Sequence, residues 1–263
     1  EADLATGIGV SARHLRRLFL RHLGATPDQL ARSRRAHFAR RLLDDTDLPV
    51  ADVAFASGFG SLRQFNRAML DVFRASPTDL RARRHRADRL AVDGGLAVRL
   101  PVMPGYDWAT VLDVLTGRAI PGVEAADKTA YRRTITMAGA PGLLDVSPAE
   151  PGYLLLHLHL PYWEGLIHVV ANVARLVGAE TGRAAAGWSP FEIGVRELLD
   201  RPLLNAFAAT LGEHVPGLPD DLTLMFPAPA AVTEQAVGQL ALPDELYEGL
   251  LRLAATTAEL VAA

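Results

Sequence analysis

The sequence predicts a mainly α chain with a small α+β part: an all-helical module with two helix-turn-helix units, then a β-α-β-β-β-α sheet domain and a helical region. Three observations carry this. Two arginine-bearing segments, Ser11 to Phe19 and Ser61 to Met69, start 50 residues apart, each after an apolar helix and a glycine-containing turn. Between residues 96 and 160 the apolar period shifts from helical to alternating. The charge divides at the same place: residues 1–90 hold 17 Arg, no Lys and 10 acidic residues, a balance of +7, whereas residues 91–263 stand at −10. The net charge of −3 therefore hides a cationic module suited to a polyanion and an acidic one repelled by it. The expected boundaries are 1–90, 96–180 and 186–263.

In the first module, Leu4 to Val10 and Val53 to Gly60 supply the leading helices and turns, and the arginine segments supply the second helices. Leu15, Leu18 and Phe19, and Leu62, Phe65 and Met69, recur at helical spacing, which leaves Arg13, Arg16 and Arg17, and Arg63, Asn66 and Arg67, on the outer faces. Such a face can enter the major groove of double-stranded DNA, where arginine suits bidentate contact with guanine. Ala31 to Asp44 reads as an amphipathic helix that spaces the two units, with Phe38, Leu42 and Leu43 on one side. Pro49 is placed at a helix start with Asp47 as its cap. Ser76-Pro77 opens a last short helix, Arg81 to Arg86 is a charge run, and Asp93-Gly94-Gly95 reads as a linker.

These motifs resemble the AraC-type DNA-binding domain. The resemblance covers residues 4–84 and rests on Gly9-Val-Ser-Ala-Arg-His-Leu-Arg-Arg-Leu-Phe19, Val53-Ala-Phe-Ala-Ser-Gly-Phe59, Phe65-Asn66-Arg67 and Ser76-Pro77. It implies two units on a linking helix that insert into successive major grooves on one face of DNA. Carried over by position, Arg13, His14, Arg16 and Arg17, and Ser61, Leu62, Arg63, Gln64, Asn66 and Arg67, are the candidate contacts to bases and phosphates.

In the second half, Leu96–Val102 alternates like a strand and Trp108 to Leu115 is helical. Ala130–Met137, Gly142–Ser147 and Tyr153–Leu160 read as three further strands, and a helix runs from about Trp163 to Val177. The order suggests an antiparallel sheet with helices on one face. Tyr106-Asp107-Trp108, Arg118 to Glu124, Tyr131-Arg132-Arg133-Thr134 and Gly142 resemble the N-terminal domain of DNA glycosylases of the AlkA kind, which in bacteria can follow an Ada-type AraC module. Trp188, Phe191-Glu192, Val195-Arg196 and Leu222 to Pro229 extend the likeness into a helical glycosylase region, read as truncated.

That resemblance implies excision of alkylated bases, which requires a phosphate-holding helix-hairpin-helix and an Asp about twenty residues further on. The one hairpin-like string, Ile120-Pro-Gly-Val-Glu124, lies in the sheet domain with Glu124 in place of the second Gly, and Asp200-Arg201-Pro-Leu-Leu204 replaces a Gly-Gln-Gln-Val-Ser segment. The chain reaches Ala263 before a hairpin is expected, and no residue takes the catalytic Asp role. The expected function is therefore a sequence-specific regulator rather than an enzyme, its glycosylase-derived domain acting as sensor or interaction surface; the alternative is a 3-methyladenine glycosylase, divergent or incomplete. A small-molecule effector and RNA polymerase are the further partners considered.

Other chemistry is thinly represented. Zero cysteine removes disulfides and thiol chemistry and fits a reducing, cytoplasmic, nucleoid-associated setting. No apolar run reaches membrane-spanning length. No cofactor is expected: phosphate loops and hydrolase elbows are missing, and His157, His159 and His168 lack a matching carboxylate for a metal. Asp44-Asp45 and Asp220-Asp221 read as caps or solvated turns. Trp108, Trp163 and Trp188 are the candidate lining of a ligand cavity. The chain begins inside a helical pattern without an initiator methionine, so it is expected to be part of something longer.

Overall fold

The computed structural model describes residues 1–83, 95–137, 139–216, 218 and 221–262. The chain divides into two compact units, one over Glu1–Leu90 with Trp163–His168 and one over Ala91–Tyr162 with Val169–Ala263.

The described residues 1–83 form helices α1 (Ala2–Gly7), α2 (Ala12–Leu23), α3 (Pro27–Asp45), α4 (Val50–Ala56), α5 (Leu62–Phe73) and α6 (Pro77–Ala82). The two helix-turn-helix units close their leading helices in the same way. Val10 N–H returns to Ala5 O at 2.9 Å and Phe59 N–H to Ala54 O at 3.1 Å, the six-to-one bond that ends a helix through a left-handed residue. That residue is Gly9 (φ +71) in one and Gly58 (φ +78) in the other, a conformation a side chain would strain. Between that glycine and the cap of the next helix, the second turn has one residue more, since Phe59-Gly60 stands where the first has Val10 alone. Helix α3 supplies Ala36, Phe38, Ala39, Leu42 and Leu43 to the core, and Val53, Phe65, Ala68 and Met69 pack there too. It is longer than the periodicity suggests, starting at Pro27 because Thr26 and Gln29 form a capping box. The same device, Ser76 with Asp79, opens α6 as expected. Asp47 is not the cap of α4: Pro49 occupies that position, without a side-chain bond. Asp44 pairs with Arg40, and Asp45, rather than lying in a solvated turn, is only 2% exposed. The charge run falls partly, and the linker largely, outside the described residues.

The second unit is built on β1 (Leu96–Pro101), α7 (Trp108–Gly117), β2 (Glu124–Ala126), β3 (Tyr131–Met137), β4 (Ala140–Pro148) and β5 (Tyr153–His159). Helices α8 (Leu166–Leu176), α9 (Pro190–Leu198), α10 (Arg201–Leu211), α11 (Glu234–Val237) and α12 (Asp244–Ala262) follow. The sheet has the order β1-β5-β4-β3-β2, all neighbours antiparallel. It holds five strands, not four: β2 is three residues long, too short to show alternation. The last helix of the predicted sheet domain starts at Leu166, so Trp163 precedes it. Register aligns Leu96, Leu158 and Leu144, and Val98, Leu156, Val146 and Tyr131, in rows across the sheet, and these side chains are buried. A second core joins Ile120 and Val123 to Phe191, Val195, Leu204, Phe207 and Leu250 of the helices.

The string from Ile120 to Glu124 forms a structural turn. Val123 and Glu124 N–H donate to Ile120 O, and Ile120 N–H donates to Glu124 Oε2 at 2.9 Å. Gly122 O accepts from Thr223 and Leu224. With Pro121 lacking an N–H and three others already engaged, the turn offers no array of donors to a phosphate.

Candidate nucleic-acid interface

In α2 and α5 the cap decides where the helix starts and hence which side chains face out. Ser11 Oγ accepts from His14 N–H at 3.2 Å, and Ser61 Oγ accepts from Gln64 N–H at 3.3 Å. Both hydroxyls are thus engaged as N-caps. Ser61→Ala is expected to cost about 1 kcal/mol of stability and Ser61→Gly only a few tenths, a contrast that thermal unfolding reads directly.

The outward sets lie where the spacing predicts. Leu15 and Phe65 are buried, whereas Arg13, Arg16, Arg17, Arg63, Gln64, Asn66 and Arg67 are exposed. Leu62 is apolar yet 43% exposed on the same face. The two helices differ in what those side chains already do. In α2, Arg16 pairs with Glu1, and Arg17 Nη2 lies 3.0 Å from His14 Nδ1. In α5, Arg63, Asn66 and Arg67 make no ion pair or side-chain hydrogen bond among the described residues. The second helix therefore presents the larger set of uncommitted donors.

The second unit contains a buried charge network whose members the sequence shows but whose role it does not. Arg133, 1% exposed, donates to Glu192 at 2.8 Å and to Glu124 at 3.3 Å. Arg196 Nη2 reaches Glu124 at 2.6 Å and Glu192 at 2.9 Å. Tyr131 Oη donates to Glu124 at 2.5 Å. Two carboxylates thus meet two guanidiniums, and the quartet is neutral. Burial alone would raise the Glu192 carboxyl, but Arg133 and Arg196 outweigh it and hold the group below the ordinary carboxylate range. Alternation in β3 does carry a signal, because Arg133 lies in phase with Tyr131 and Ile135 on the inner face. A charge there demands a partner.

Beside this network lies a cleft of about 220 Å³ lined by Trp188, Arg133, Thr136, Phe226 and Pro229, among others. The Arg133 guanidinium sits 5.3 Å from the Trp188 ring centre. Trp108 and Trp163 do not line it; the Trp108 indole N–H is bonded to Thr129 O at 2.8 Å. His157 and His159 share the outer sheet face, with Asp145 opposite His157, but no three His, Asp or Glu among the described residues are grouped to hold a metal. Asp200 caps α10 by accepting from Leu203 N–H, which accounts for its place in the departing Asp-Arg-Pro segment. Asp221 pairs with Arg132.

Residues 4–83 match the helix-turn-helix domain family, and residues 97–220 match the AlkA N-terminal domain family. The chain joins an AraC-type domain to an AlkA-type domain. Over 98% of its length it is 31% identical to a Mycobacterium tuberculosis protein named "Probable bifunctional transcriptional activator/DNA repair enzyme AlkA", of which it spans 59%. The AlkA-type part is 28% identical to DNA-3-methyladenine glycosylase 2 of Escherichia coli K12, covering 57% of this chain and 64% of that protein. In fold it is like the 3-methyladenine DNA-glycosylase of Archaeoglobus fulgidus, with a TM-score of 0.50 at 12% identity over 59% of this chain and 66% of that one. No helix among the described residues is long and apolar enough to cross a membrane.

Proposed function

We propose that this chain is a sequence-specific, DNA-binding transcription regulator of AraC/Ada type. The observation that carries the proposal is the matched pair of capped helices, each with an arginine face turned outward and α5 with its donors uncommitted. Arg63 suits guanine edges, Asn66 suits adenine, exposed Leu62 suits a thymine methyl group, and Arg67 on the same face suits a backbone phosphate. Arg13, Arg16, Arg17 and His14 play the corresponding part in α2, and Ser61 and Gln64 stand at the start of α5 where the backbone of the groove passes.

The AlkA-type domain, as far as residues 97–263 go, serves as a sensor or interaction surface without base excision of its own. The turn at Gly122 has three of its N–H groups engaged, Asp200 caps a helix, and Asp221 is paired with Arg132. The cleft at Trp188 is smaller than the roughly 300–1,000 Å³ of typical ligand sites, so a small effector fits it better than a large one. RNA polymerase is the further partner of a regulator of this kind.

A second reading, base excision of alkylated purines, is favoured by the names of the relatives. One pair of assays separates the two. Hydroxyl-radical footprinting on selected DNA is expected to show two protected tracts about one helical turn, roughly 10 base pairs, apart on one face. Incubation of residues 1–263 with methylated DNA is expected to release no 3-methyladenine. Release of the base by this chain sinks the non-catalytic assignment, and a uniform footprint sinks the sequence-specific one.

A further inference from the structure

Helix α3 links the two helix-turn-helix units; Arg40 pairs with Asp44 there, but Arg32 and Arg35 face elsewhere. Arg32 and Arg35 are exposed on α3 and line a cleft of about 440 Å³ shared with Phe59 of the turn before α5 and with Gln64 and Arg67 of α5. Three guanidiniums face this space against one carboxylate, that of Asp28 in the first turn of α3. None of the three arginines forms an ion pair or side-chain hydrogen bond among the described residues. Like charges gathered around one cleft without a partner repel, and the repulsion is relieved by an anion. Arginine in particular presents planar paired donors that fit phosphate oxygens.

Arg35 lies against the turn that leads into α5. Its Nε and Cδ are 3.5 and 3.9 Å from where a Cβ on Gly58 would stand, an ordinary contact distance that places the guanidinium beside that turn. Arg67 belongs both to the cleft and to the outward face of α5. An anion held by the three arginines therefore lies directly beside the base-reading side chains. In a duplex whose major groove takes α5, the anions at that place are backbone phosphates.

We infer that Arg32 and Arg35 of the linking helix, with Arg67, form a clamp for one DNA backbone phosphate flanking the groove read by α5. This rests on the DNA-reading assignment of α5 and adds to it a third contact surface, on an element otherwise only a spacer. The clamp carries no base information. It fixes the register of α5 on the duplex and contributes to affinity for every sequence alike.

The test measures binding of the full chain to a selected duplex and a scrambled one across a salt series, for wild type, Arg32→Ala/Arg35→Ala, Arg32→Lys/Arg35→Lys and Arg63→Ala. The alanine pair is expected to weaken both duplexes by the same factor and to reduce the slope of log affinity against log salt by roughly 0.9, the value of one phosphate. The lysine pair keeps the charge and is expected to keep most of the slope, which distinguishes lost contact from lost folding. An unchanged slope in the alanine pair, while Arg63→Ala still loses discrimination, overturns the clamp and leaves the reading of α5 standing. Loss of neither property overturns the reading itself. Saturable binding of inorganic phosphate without DNA, abolished in the alanine pair while the DNA salt slope is intact, overturns the clamp in favour of a free-anion site.

Discussion

Glu192→Ala is expected to destabilise the second unit by about 3–5 kcal/mol. Glu192 is 1% exposed and takes bonds from both Arg133 and Arg196. Its removal leaves two buried guanidiniums facing Glu124 alone, and an uncompensated buried charge costs far more than the intact pair contributes. Urea unfolding followed by hydrogen exchange at the β3 and α9 amides measures it, and a loss below about 1 kcal/mol contradicts the assignment of the quartet as buried and paired. The pH dependence has a definite sign. The folded-state value of Glu192 lies below its ordinary 4.5, so its stabilisation is complete above that pH and is lost as pH falls through the lower, folded value. Glu192→Gln should therefore flatten the acid limb of the stability profile.

Phe65→Ala is expected to cost about 3–5 kcal/mol in the first unit and, with it, DNA binding through α5. The ring is wholly buried and lies 5.4 Å from that of Phe59, tilted against it. It is the wedge that holds the outward face of α5 in place. Leu62→Ala, on the exposed face of the same helix, should leave stability within about 0.5 kcal/mol and alter only DNA recognition. Thermal unfolding and DNA affinity measured together on the two variants separate a packing residue from a contact residue. Equal destabilisation by both changes would mean that the two faces of α5 are wrongly assigned.

Much of the first unit was legible in the sequence because its signals are local. The serine caps, the glycine turns and the helical spacing of Leu15, Leu18, Phe65 and Met69 each act within a few residues, and together they set which arginines point outward; Leu62, which the spacing groups with Phe65 and Met69, lies instead on the exposed face. What escaped notice there depends on side-chain choices a short pattern cannot rank. Thr26 with Gln29 starts α3 four residues early, and Pro49 rather than Asp47 takes the cap of α4. In the second unit the long alternating strands were legible, but β2 was not, since three residues paired to β3 have no period of their own. The quartet was hidden for a further reason. Glu124, Arg133, Glu192 and Arg196 span 72 positions, and only the folded chain brings them within bonding distance. Glu124, which stood out as a departure from a glycine hairpin, is in fact the hub of that network, accepting from Ile120, Tyr131, Arg133 and Arg196.

Whether α5 reads bases is decided at Arg63. Affinity of Arg63→Ala and wild type for a selected duplex and for its scrambled counterpart, at fixed salt, gives the change in discrimination. The expected loss of discrimination is about 1–3 kcal/mol, borne almost wholly by the selected duplex. Equal weakening on both duplexes would show that Arg63 meets only the phosphate backbone and does not read a base.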